Sequence, residues 1–313
     1  MKIKYLFILF FFLSDSFSFE IERTSNIKEP DFHLIKRNIM LPLINFKNDI
    51  LLYQGFKDLR SEFTINSDFV NVKQKTEIDC NMNSTLKTMV VLVFGQSNAA
   101  NAGEKRYNLN NSNVLNFFKG KCYKANDPLL GTTGLGGSVW TRFAELYLNK
   151  NKKEYDRIIF HTIAVGGTPI KDWTPNGDLF TRIIIAKKQL DTIGLSYTHV
   201  FYHQGEADAL LKTSYVRYKS SLEYINKGLK KLDIHAPFFV SIVGKFGKSI
   251  NTDIRFAQYE FINENKNVFI GSNSDIIYDE GDRYQIGHFT NNGLDKHAVQ
   301  WINAIIKFEE DNK

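Results

Sequence analysis

A serine suited to nucleophilic chemistry follows an apolar segment of the chain. Residues 89–94 form a continuous apolar run rich in β-branched residues, and the tetrapeptide Gly-Gln-Ser-Asn occupies positions 95–98. A serine just past a buried strand exposes its hydroxyl, and its backbone N–H points toward the same place, which is what acyl transfer requires. Ser97 is therefore a candidate nucleophile, although Ala99 replaces the second glycine of a G-x-S-x-G elbow and such a turn is more often an ordinary loop.

Two more segments place glycines or polar side chains at the ends of apolar runs. Residues 164–170 contain Gly166 and Gly167, which allow a ligand to approach the backbone closely but also suit a tight turn. Residues 202–208 bring together three polar side chains: Gln204, Glu206 and Asp208. Asp208 is also a good helix cap, yet three such segments at three strand ends are more than turns alone require.

One histidine, His288, is the best-placed general base. A serine hydroxyl is un-ionised at neutral pH and needs a base, and imidazole titrates in the right range. Among the seven histidines, His288 alone lies in a glycine-rich stretch, residues 282–293, just before the last predicted helix. His203, at the end of an apolar run, is the main alternative. We therefore predict that His288 is the base.

Apolar runs that alternate with helical patterns must position these residues. Five runs are typical of strands buried on both faces of a parallel sheet: 89–94, 158–165, 199–202, 238–243 and 268–270. The helical patterns are a helix capped by Ser138, then 178–193, 208–232 and a last helix with Leu294, Ala298, Trp301 and Ile305 on one face. This alternation predicts a three-layer α/β fold with about five parallel strands, whose ligand site lies at the carboxyl ends of the strands.

The N-terminus has the pattern of an export signal. Two lysines precede the apolar run 5–13, and small residues precede a cleavage point after Ser18. The run is too short to span a membrane, so residues 1–18 are predicted to be a signal peptide and the protein to be secreted or periplasmic, without a stable membrane anchor. An uncleaved apolar N-terminus is the alternative. The remaining chain is predicted to divide into two parts: an N-terminal extension, residues 19–86, and a catalytic domain, residues 87–313.

Charge and cysteine content narrow the classes of partner and cofactor. The 313 residues include 40 Lys+Arg and 34 Asp+Glu, a net charge of +6 that is dispersed along the chain and argues against a nucleic-acid partner. The sequence has no metal-binding motif such as H-E-x-x-H, so we expect hydrolysis without a metal or another cofactor. The two cysteines, Cys80 and Cys122, are too few for a disulfide scaffold, and the sequence leaves open whether they pair.

Together these motifs resemble the SGNH hydrolase superfamily and, more narrowly, its sialate O-acetylesterase-like branch, carbohydrate esterase family 6. The resemblance covers roughly residues 86–307. The residues that carry it are Gly-Gln-Ser-Asn at 95–98, His-Gln-Gly-Glu at 203–206 with Asp208, and Gly287-His288 followed by Gly293, with segments 131–138 and 254–258 also fitting. The resemblance implies a flavodoxin-like fold and an exported serine esterase that removes O-acetyl groups from carbohydrate.

The resemblance also implies roles for individual residues. Ser97 would be the nucleophile and His288 the base. The oxyanion hole would consist of the Ser97 N–H, the N–H of Gly167 (or Gly166) and the side-chain amide of Gln204. One departure stands out, because the superfamily usually places an aspartate three residues before the histidine and this chain has Gln285 there. An amide accepts a hydrogen bond but carries no charge to stabilise imidazolium.

Three arrangements would compensate for Gln285. Glu206 matches the glutamate assigned as the acid in the carbohydrate esterase branch, and we prefer it. Asp282 is the second candidate, and a Ser-His dyad that works more slowly is the third. Loss of activity in a decayed homologue is a further alternative.

The substrate is expected to be a small-molecule or polysaccharide acetyl ester. Asn98, Trp173 and Arg255 are the expected substrate-binding residues, with Trp173 lining the pocket. Arg255 would hold a substrate carboxylate or form a surface ion pair, and from the sequence the ion pair is preferred. Acetyl transfer, hydrolysis of another small ester, and a catalytically impaired glycan-binding protein remain the alternative functions. The sequence leaves the oligomeric state open.

Overall fold

The computed structural model of the protein describes residues 72–81, 85–247 and 249–312. The predicted signal peptide and the extension as far as residue 71 lie outside the described residues. The end of the predicted extension is described, and it joins the main sheet of the catalytic domain.

Eight strands of the described chain form one mixed sheet in the order β1-β4-β3-β5-β2-β6-β7-β10. They are β1 (Glu77–Ile78), β2 (Thr88–Gly95), β3 (Val114–Phe118), β4 (Lys121–Lys124), β5 (Arg157–Thr162), β6 (His199–His203), β7 (Phe238–Ile242) and β10 (Val268–Asn273). The six strands from β3 to β10 in this order are parallel, whereas β4 and β1 pair antiparallel at one edge. The predicted α/β fold is confirmed, with β3 as a parallel strand beyond the five predicted runs.

Helices cover both faces of this sheet. They are α1 (Val139–Leu148), α2 (Phe180–Asp191), α3 (Glu206–Leu211), α4 (Tyr215–Lys231), α5 (Thr252–Glu264) and α6 (Asn291–Asp311). The predicted N-cap Ser138 is confirmed, since its hydroxyl accepts the Trp140 N–H at 3.1 Å. The predicted helix 208–232 is two helices, because Lys212 adopts a left-handed φ of 51° and ends α3. Asp208 lies inside α3 and does not cap it.

The alternating side chains of β2 explain why this strand is apolar throughout. Val90, Leu92 and Phe94 pack with α2, α4 and α5 on one face of the sheet. Met89, Val91 and Val93 pack with α1 and α6 on the other. A strand covered on both faces shows no polar alternation, which is the pattern that the sequence carries.

Two short hairpins and one disulfide complete the described structure. The hairpins are β8 (Lys245–Phe246) with β9 (Ser249–Ile250), and β11 (Arg283–Tyr284) with β12 (His288–Phe289). Cys80 and Cys122 form a disulfide with a Cα–Cα distance of 5.1 Å, which fastens the segment after β1 to β4. Within the described residues, no helix is both long and apolar enough to cross a membrane.

Candidate active site

The candidate nucleophile lies where three central strands end. Ser97 begins a 3-10 turn, Ser97–Ala99, directly after β2. The Gln96 N–H donates to the carbonyl of His203, the last residue of β6, at 2.9 Å. The Val165 N–H, just past β5, donates to the Gly95 carbonyl at 2.9 Å. Backbone hydrogen bonds to the strands on both sides therefore hold the turn that carries Ser97.

Only glycine fits at position 95. Gly95 has a φ of +123°, which L-residues rarely adopt, and it pairs with His203 across the β2–β6 ladder. A Cβ built on Gly95 would lie 2.1 Å from the His203 carbonyl oxygen. The glycine before Gln96 and Ser97 is thus required by close backbone approach as well as by backbone conformation.

Two backbone N–H groups near Ser97 can bind an oxyanion. In the part of the chain that the structure describes, the N–H groups of Ser97 and Gly167 donate to no other residue. The Gly166 N–H donates to the Thr133 hydroxyl at 2.8 Å, and a Cβ on Gly166 would lie 3.6 Å from the Ser97 Cβ. Gly166 therefore packs against Ser97 and its N–H is already engaged, which leaves Gly167 as the predicted donor.

Gln204 is not available to an oxyanion, contrary to the prediction. Its side chain is fully buried, and Nε2 lies within donating distance of Asp208 Oδ2 (2.6 Å), the Thr168 carbonyl (3.1 Å) and Gln96 Oε1 (3.2 Å). The Tyr218 hydroxyl donates to the Gln204 side-chain oxygen at 2.8 Å. The amide therefore ties α3 to the neighbouring loops behind Ser97.

Asp208 belongs to the same supporting network. Its Oδ2 also accepts the Ile170 N–H at 2.7 Å, and its Oδ1 accepts the Thr213 hydroxyl at 2.6 Å. Burial raises the pKa of this carboxyl, against the hydrogen bonds from Thr213, Ile170 and Gln204. The cluster of polar residues after β6 is thus largely a buried scaffold.

Glu206 points toward the nucleophile turn. Its Oε1 accepts Asn98 Nδ2 at 2.5 Å and His203 Nε2 at 3.0 Å. Burial alone would raise the pKa of Glu206, but attraction to His203 and the two hydrogen bonds outweigh it, so the pKa is lowered. The buried, charged Glu206 carboxylate is therefore hydrogen-bonded to Asn98, the residue that follows Ser97 in the chain. His203, the alternative base, is also buried.

His288 lies on the β11–β12 hairpin, and β12 packs against the Ser97–Ala99 turn. Its Nδ1 lies 3.4 Å from Gln285 Oε1. Burial lowers the pKa of His288, Glu206 opposes this and Arg283 adds to it. A lowered pKa keeps the imidazole neutral at neutral pH, which is the form that accepts a proton from serine.

The structure does not place a carboxylate on the His288 imidazole, contrary to the prediction for Glu206. Among the described residues, His288 hydrogen-bonds neither Glu206 nor Ser97. The Glu206 oxygen that forms hydrogen bonds is engaged by His203 and Asn98, so Glu206 acts on His288 through its charge. Asp282 is engaged elsewhere, because its carboxylate accepts Asn292 Nδ2 at 2.7 Å and pairs with Lys296 at 2.9 Å.

The carbonyl of Gly287, next to His288, connects the base to the nucleophile turn. It accepts Asn98 Nδ2 at 3.1 Å and Arg283 Nη1 at 2.7 Å. Asn98, predicted to bind substrate, thus uses its amide nitrogen to join Glu206 and Gly287. Sequence reasoning missed Arg283 entirely, because its partners are backbone carbonyls that leave no pattern in the sequence.

Trp173 does not line the site, contrary to the prediction. Its side chain is fully buried, its ring packs 5.4 Å from that of Phe94, and Nε1 donates to the Thr168 hydroxyl at 3.0 Å. Arg255 forms the alternative that the sequence allowed, an ion pair with Asp275 at 3.4 Å. Its side chain stays about one-third exposed, so a role in substrate binding remains a prediction.

No cluster of three or more histidine, cysteine or acidic side chains within the described ranges could hold a metal ion. The groups that the described residues bring to this edge of the sheet are a hydroxyl, an imidazole, two backbone N–H groups and a buried carboxylate. That combination suits acyl transfer through a serine.

Comparison with known proteins identifies the family of the chain. Residues 87–307 match the family model described as carbohydrate esterase, sialic acid-specific acetylesterase. A structure of a protein from Arabidopsis thaliana superposes with a TM-score of 0.59 at 19% identity, covering 71% of this chain and 98% of that one. NanS superposes with a TM-score of 0.50 at 14% identity, covering 72% and 98%.

No curated protein matches this sequence. At 19% and 14% identity, the similarity to these two structures shows the fold alone. The family match spans most of the chain and includes the Ser97–Ala99 turn, the polar cluster after β6 and the β11–β12 hairpin. The chain is a carboxylic ester hydrolase of the SGNH type and belongs to the sialic acid-specific acetylesterase family of carbohydrate esterases.

Proposed function

We propose that this protein removes O-acetyl groups from carbohydrate by a serine mechanism in which Ser97 is the nucleophile and His288 the base. The observation that carries the proposal is the position of Ser97 at the carboxyl edge of the sheet, where β12, the strand that begins with His288, packs against its turn and Gly166 packs against its side chain. Ligand sites of parallel α/β sheets lie at this edge.

The chemistry follows from the groups present. The Ser97 hydroxyl attacks the ester carbonyl while neutral His288 takes its proton, and the N–H groups of Ser97 and Gly167 bind the oxyanion. The imidazolium then returns the proton to the departing sugar oxygen, which leaves an acetyl-serine. Water attacks this ester with His288 again as base, and acetate is released with Ser97 restored.

Glu206 supports this cycle from a distance. Its negative charge raises the pKa of His288 and so favours the imidazolium that forms during attack. Its hydrogen bond to Asn98 also fixes the turn that carries Ser97. Glu206 therefore replaces the missing aspartate by its charge and by positioning, whereas Gln285 supplies the nearest hydrogen-bond acceptor on Nδ1.

The proposal includes export. The Cys80–Cys122 disulfide supports it, because disulfides persist mainly in oxidising compartments. N-terminal sequencing of the protein recovered outside the cytoplasm should begin at residue 19, after cleavage at Ser18. Recovery of a chain that still begins at Met1 would contradict the signal peptide.

A fluorophosphonate probe tests the nucleophile directly. Wild type should be labelled covalently and Ser97→Ala should not, with a loss in kcat on p-nitrophenyl acetate of about 10⁴-fold or more. Undiminished labelling of folded Ser97→Ala would exclude Ser97. Failure of the wild type to react at all would favour the glycan-binding alternative.

The substrate class is tested with a panel of acetylated carbohydrates. Release of acetate from acetylated xylan, O-acetylated sialic acids and peptidoglycan is compared between wild type and Ser97→Ala. Excess free sugar as acceptor separates hydrolysis from transfer, because a transferase would form a new sugar ester instead of acetate. Release from none of the panel, with p-nitrophenyl acetate still cleaved, would leave hydrolysis of another small ester.

A further inference from the structure

The hairpin that carries His288 is held in an unfavourable backbone conformation. Its strands are two residues long, and the turn between them contains Gln285 with a φ of 46° and Ile286 with a φ of 71°. A β-branched residue in the left-handed region is a genuine outlier. Such conformations persist where surrounding contacts over-determine them, commonly at functional sites.

Arg283 contributes one contact to this turn and two to the segment after β10. Its guanidinium donates to three backbone carbonyls: Ile277 through Nε (2.8 Å), Gly287 through Nη1 (2.7 Å) and Ser274 through Nη2 (2.7 Å). Two of these carbonyls follow β10 and the third lies in the hairpin turn. The rigid fork of arginine can serve all three at once, which a single ammonium group cannot.

Aromatic rings enclose the same guanidinium. Its Cζ lies 3.6 Å from the centre of the Phe289 ring and 4.3 Å from that of Tyr278. Within the described residues, no carboxylate pairs with it at salt-bridge distance. A cation is thus fixed beside the base by carbonyls and rings.

Charged and titratable side chains surround both Arg283 and His288. Tyr278, Glu206, Asp275 and Asp282 act on Arg283, whereas Glu206 and Arg283 act on His288. Arg283 lowers the pKa of the His288 imidazole, whereas Glu206 raises it. The position of the arginine therefore affects both where His288 stands and when it is protonated.

We propose that Arg283 is a positioning residue for His288, holding the strained 285–287 turn by its bond to the Gly287 carbonyl and setting the field at the imidazole. The proposal rests on His288 being the base of the proposed esterase. The three hydrogen bonds of Arg283 join the β11–β12 hairpin to the segment that follows β10.

Two substitutions separate position from charge. Arg283→Lys and Arg283→Gln both lose the fork, and only the glutamine variant loses the positive charge. Both should lower kcat on p-nitrophenyl acetate by about 100-fold, as expected for a misplaced catalytic group, with KM nearly unchanged. NMR titration of the imidazole should show a higher His288 pKa in Arg283→Gln than in Arg283→Lys, because a positive neighbour has been removed.

A second-site change tests whether strain in the turn is what Arg283 controls. Ile286→Gly removes the penalty of a positive φ, so in the Arg283→Lys background it should restore kcat by about tenfold. The matched control is Arg182→Lys, since Arg182 also donates to two carbonyls, Ile163 at 3.0 Å and Gly131 at 2.7 Å. That variant should lower the Tm and leave the His288 titration as in wild type.

Each outcome decides the matter. If Arg283→Lys folds and its kcat stays within about twofold of the wild-type value, a change far smaller than tenfold, the positioning role is overturned. Equal His288 pKa values in the lysine and glutamine variants overturn the electrostatic one, and failure of Ile286→Gly to restore kcat overturns the role of strain. If the wild-type protein has no esterase activity, the proposed function is wrong, but the NMR titration still tests the effect of Arg283 on His288.

Discussion

Ser97 and His288 belong to regions that differ in how they are held. Ser97 follows a strand buried on both faces, and backbone hydrogen bonds from β5 and β6 fix its turn. His288 lies on a two-strand hairpin outside the main sheet, with exposed residues in its turn and side-chain bonds from Asn98 and Arg283 to its neighbour.

This difference indicates how substitutions in the two regions should act. A substitution near Ser97 disturbs the central strands and should be felt first as loss of stability. A substitution near His288 disturbs a few side-chain bonds and should be felt first as loss of rate. The predictions below test that division.

The largest effect is expected for Gly95→Ala. Its new Cβ would lie 2.1 Å from the His203 carbonyl oxygen in the central ladder, so the free energy of unfolding should fall by about 3–5 kcal/mol. Chemical denaturation measures the change. Gly120→Ala is the matched control, because its φ is also positive (+81°) but its Cβ would meet nothing within 4 Å. It should lower the unfolding free energy by only about 1–2 kcal/mol; equal losses would contradict the close-approach argument.

The next effect separates two carboxylates on the base side. Glu206→Gln should lower kcat by about 100-fold, the lower end of what a general base contributes, because the buried negative charge that favours the imidazolium is lost. Asp282→Asn should stay within about threefold of wild type, well under one tenfold step, because Asp282 is engaged by Lys296 and Asn292. Similar small losses in both variants would favour a Ser-His dyad without an acid.

The pH profile of the same variant gives the sign of the Glu206 effect. The base works when neutral, so kcat/KM falls as pH drops through the His288 pKa, which lies below its ordinary value. Glu206 raises that pKa, and removal of its charge in Glu206→Gln should move the acid limb to lower pH. A shift to higher pH would show that Glu206 does not act on His288 by its charge.

A smaller gain is expected for Gln285→Asp. The side chain at position 285 already faces His288 Nδ1, and aspartate tolerates a left-handed φ better than most residues. The added charge should raise kcat by about tenfold, part of the roughly 10⁴-fold value of an orienting carboxylate, and move the acid limb to higher pH. Gln285→Asn is the uncharged control. A gain in both variants would assign the effect to backbone relief instead of charge.

The smallest effect on catalysis is expected for Trp173→Phe. Loss of the bond to Thr168 and of buried volume should lower the free energy of unfolding by about 1–3 kcal/mol. KM should stay within about twofold of the wild-type value, because the Trp173 ring lies in the core and not in the substrate pocket. A large rise in KM without a change in stability would return Trp173 to the substrate pocket.

Sequence reasoning predicted where Ser97, Gly167 and His288 lie in the fold, because apolar runs, glycines and chain order carry their positions; their catalytic roles belong to the proposal. It missed strand β3, whose run is interrupted by Asn116. That side chain is buried and satisfied, accepting the Leu130 N–H at 2.6 Å and donating to the Phe160 carbonyl at 3.2 Å. A polar residue satisfied by distant partners hides a strand from any local pattern.

The direction of side chains is the other part that the sequence lacked. Gln204 and Glu206 are two residues apart, yet Gln204 turns into the scaffold and Glu206 toward Asn98. The partners that decide this come from segments far away in the chain. Arg283 is different, because its acceptors lie only four to nine residues away, but they face its guanidinium only once the hairpin is folded against the segment after β10.

The antiparallel edge of the sheet has a consequence for solubility. An uncovered strand edge is a template for pairing with another molecule, and proteins blunt such edges with short, charged strands. Here β1 contributes two residues, Glu77 is exposed and pairs with Lys121 at 2.9 Å, and the nearby disulfide keeps β1 in place. Among the described residues, this edge therefore offers a second molecule little free backbone, which is expected to limit aggregation when the protein is concentrated.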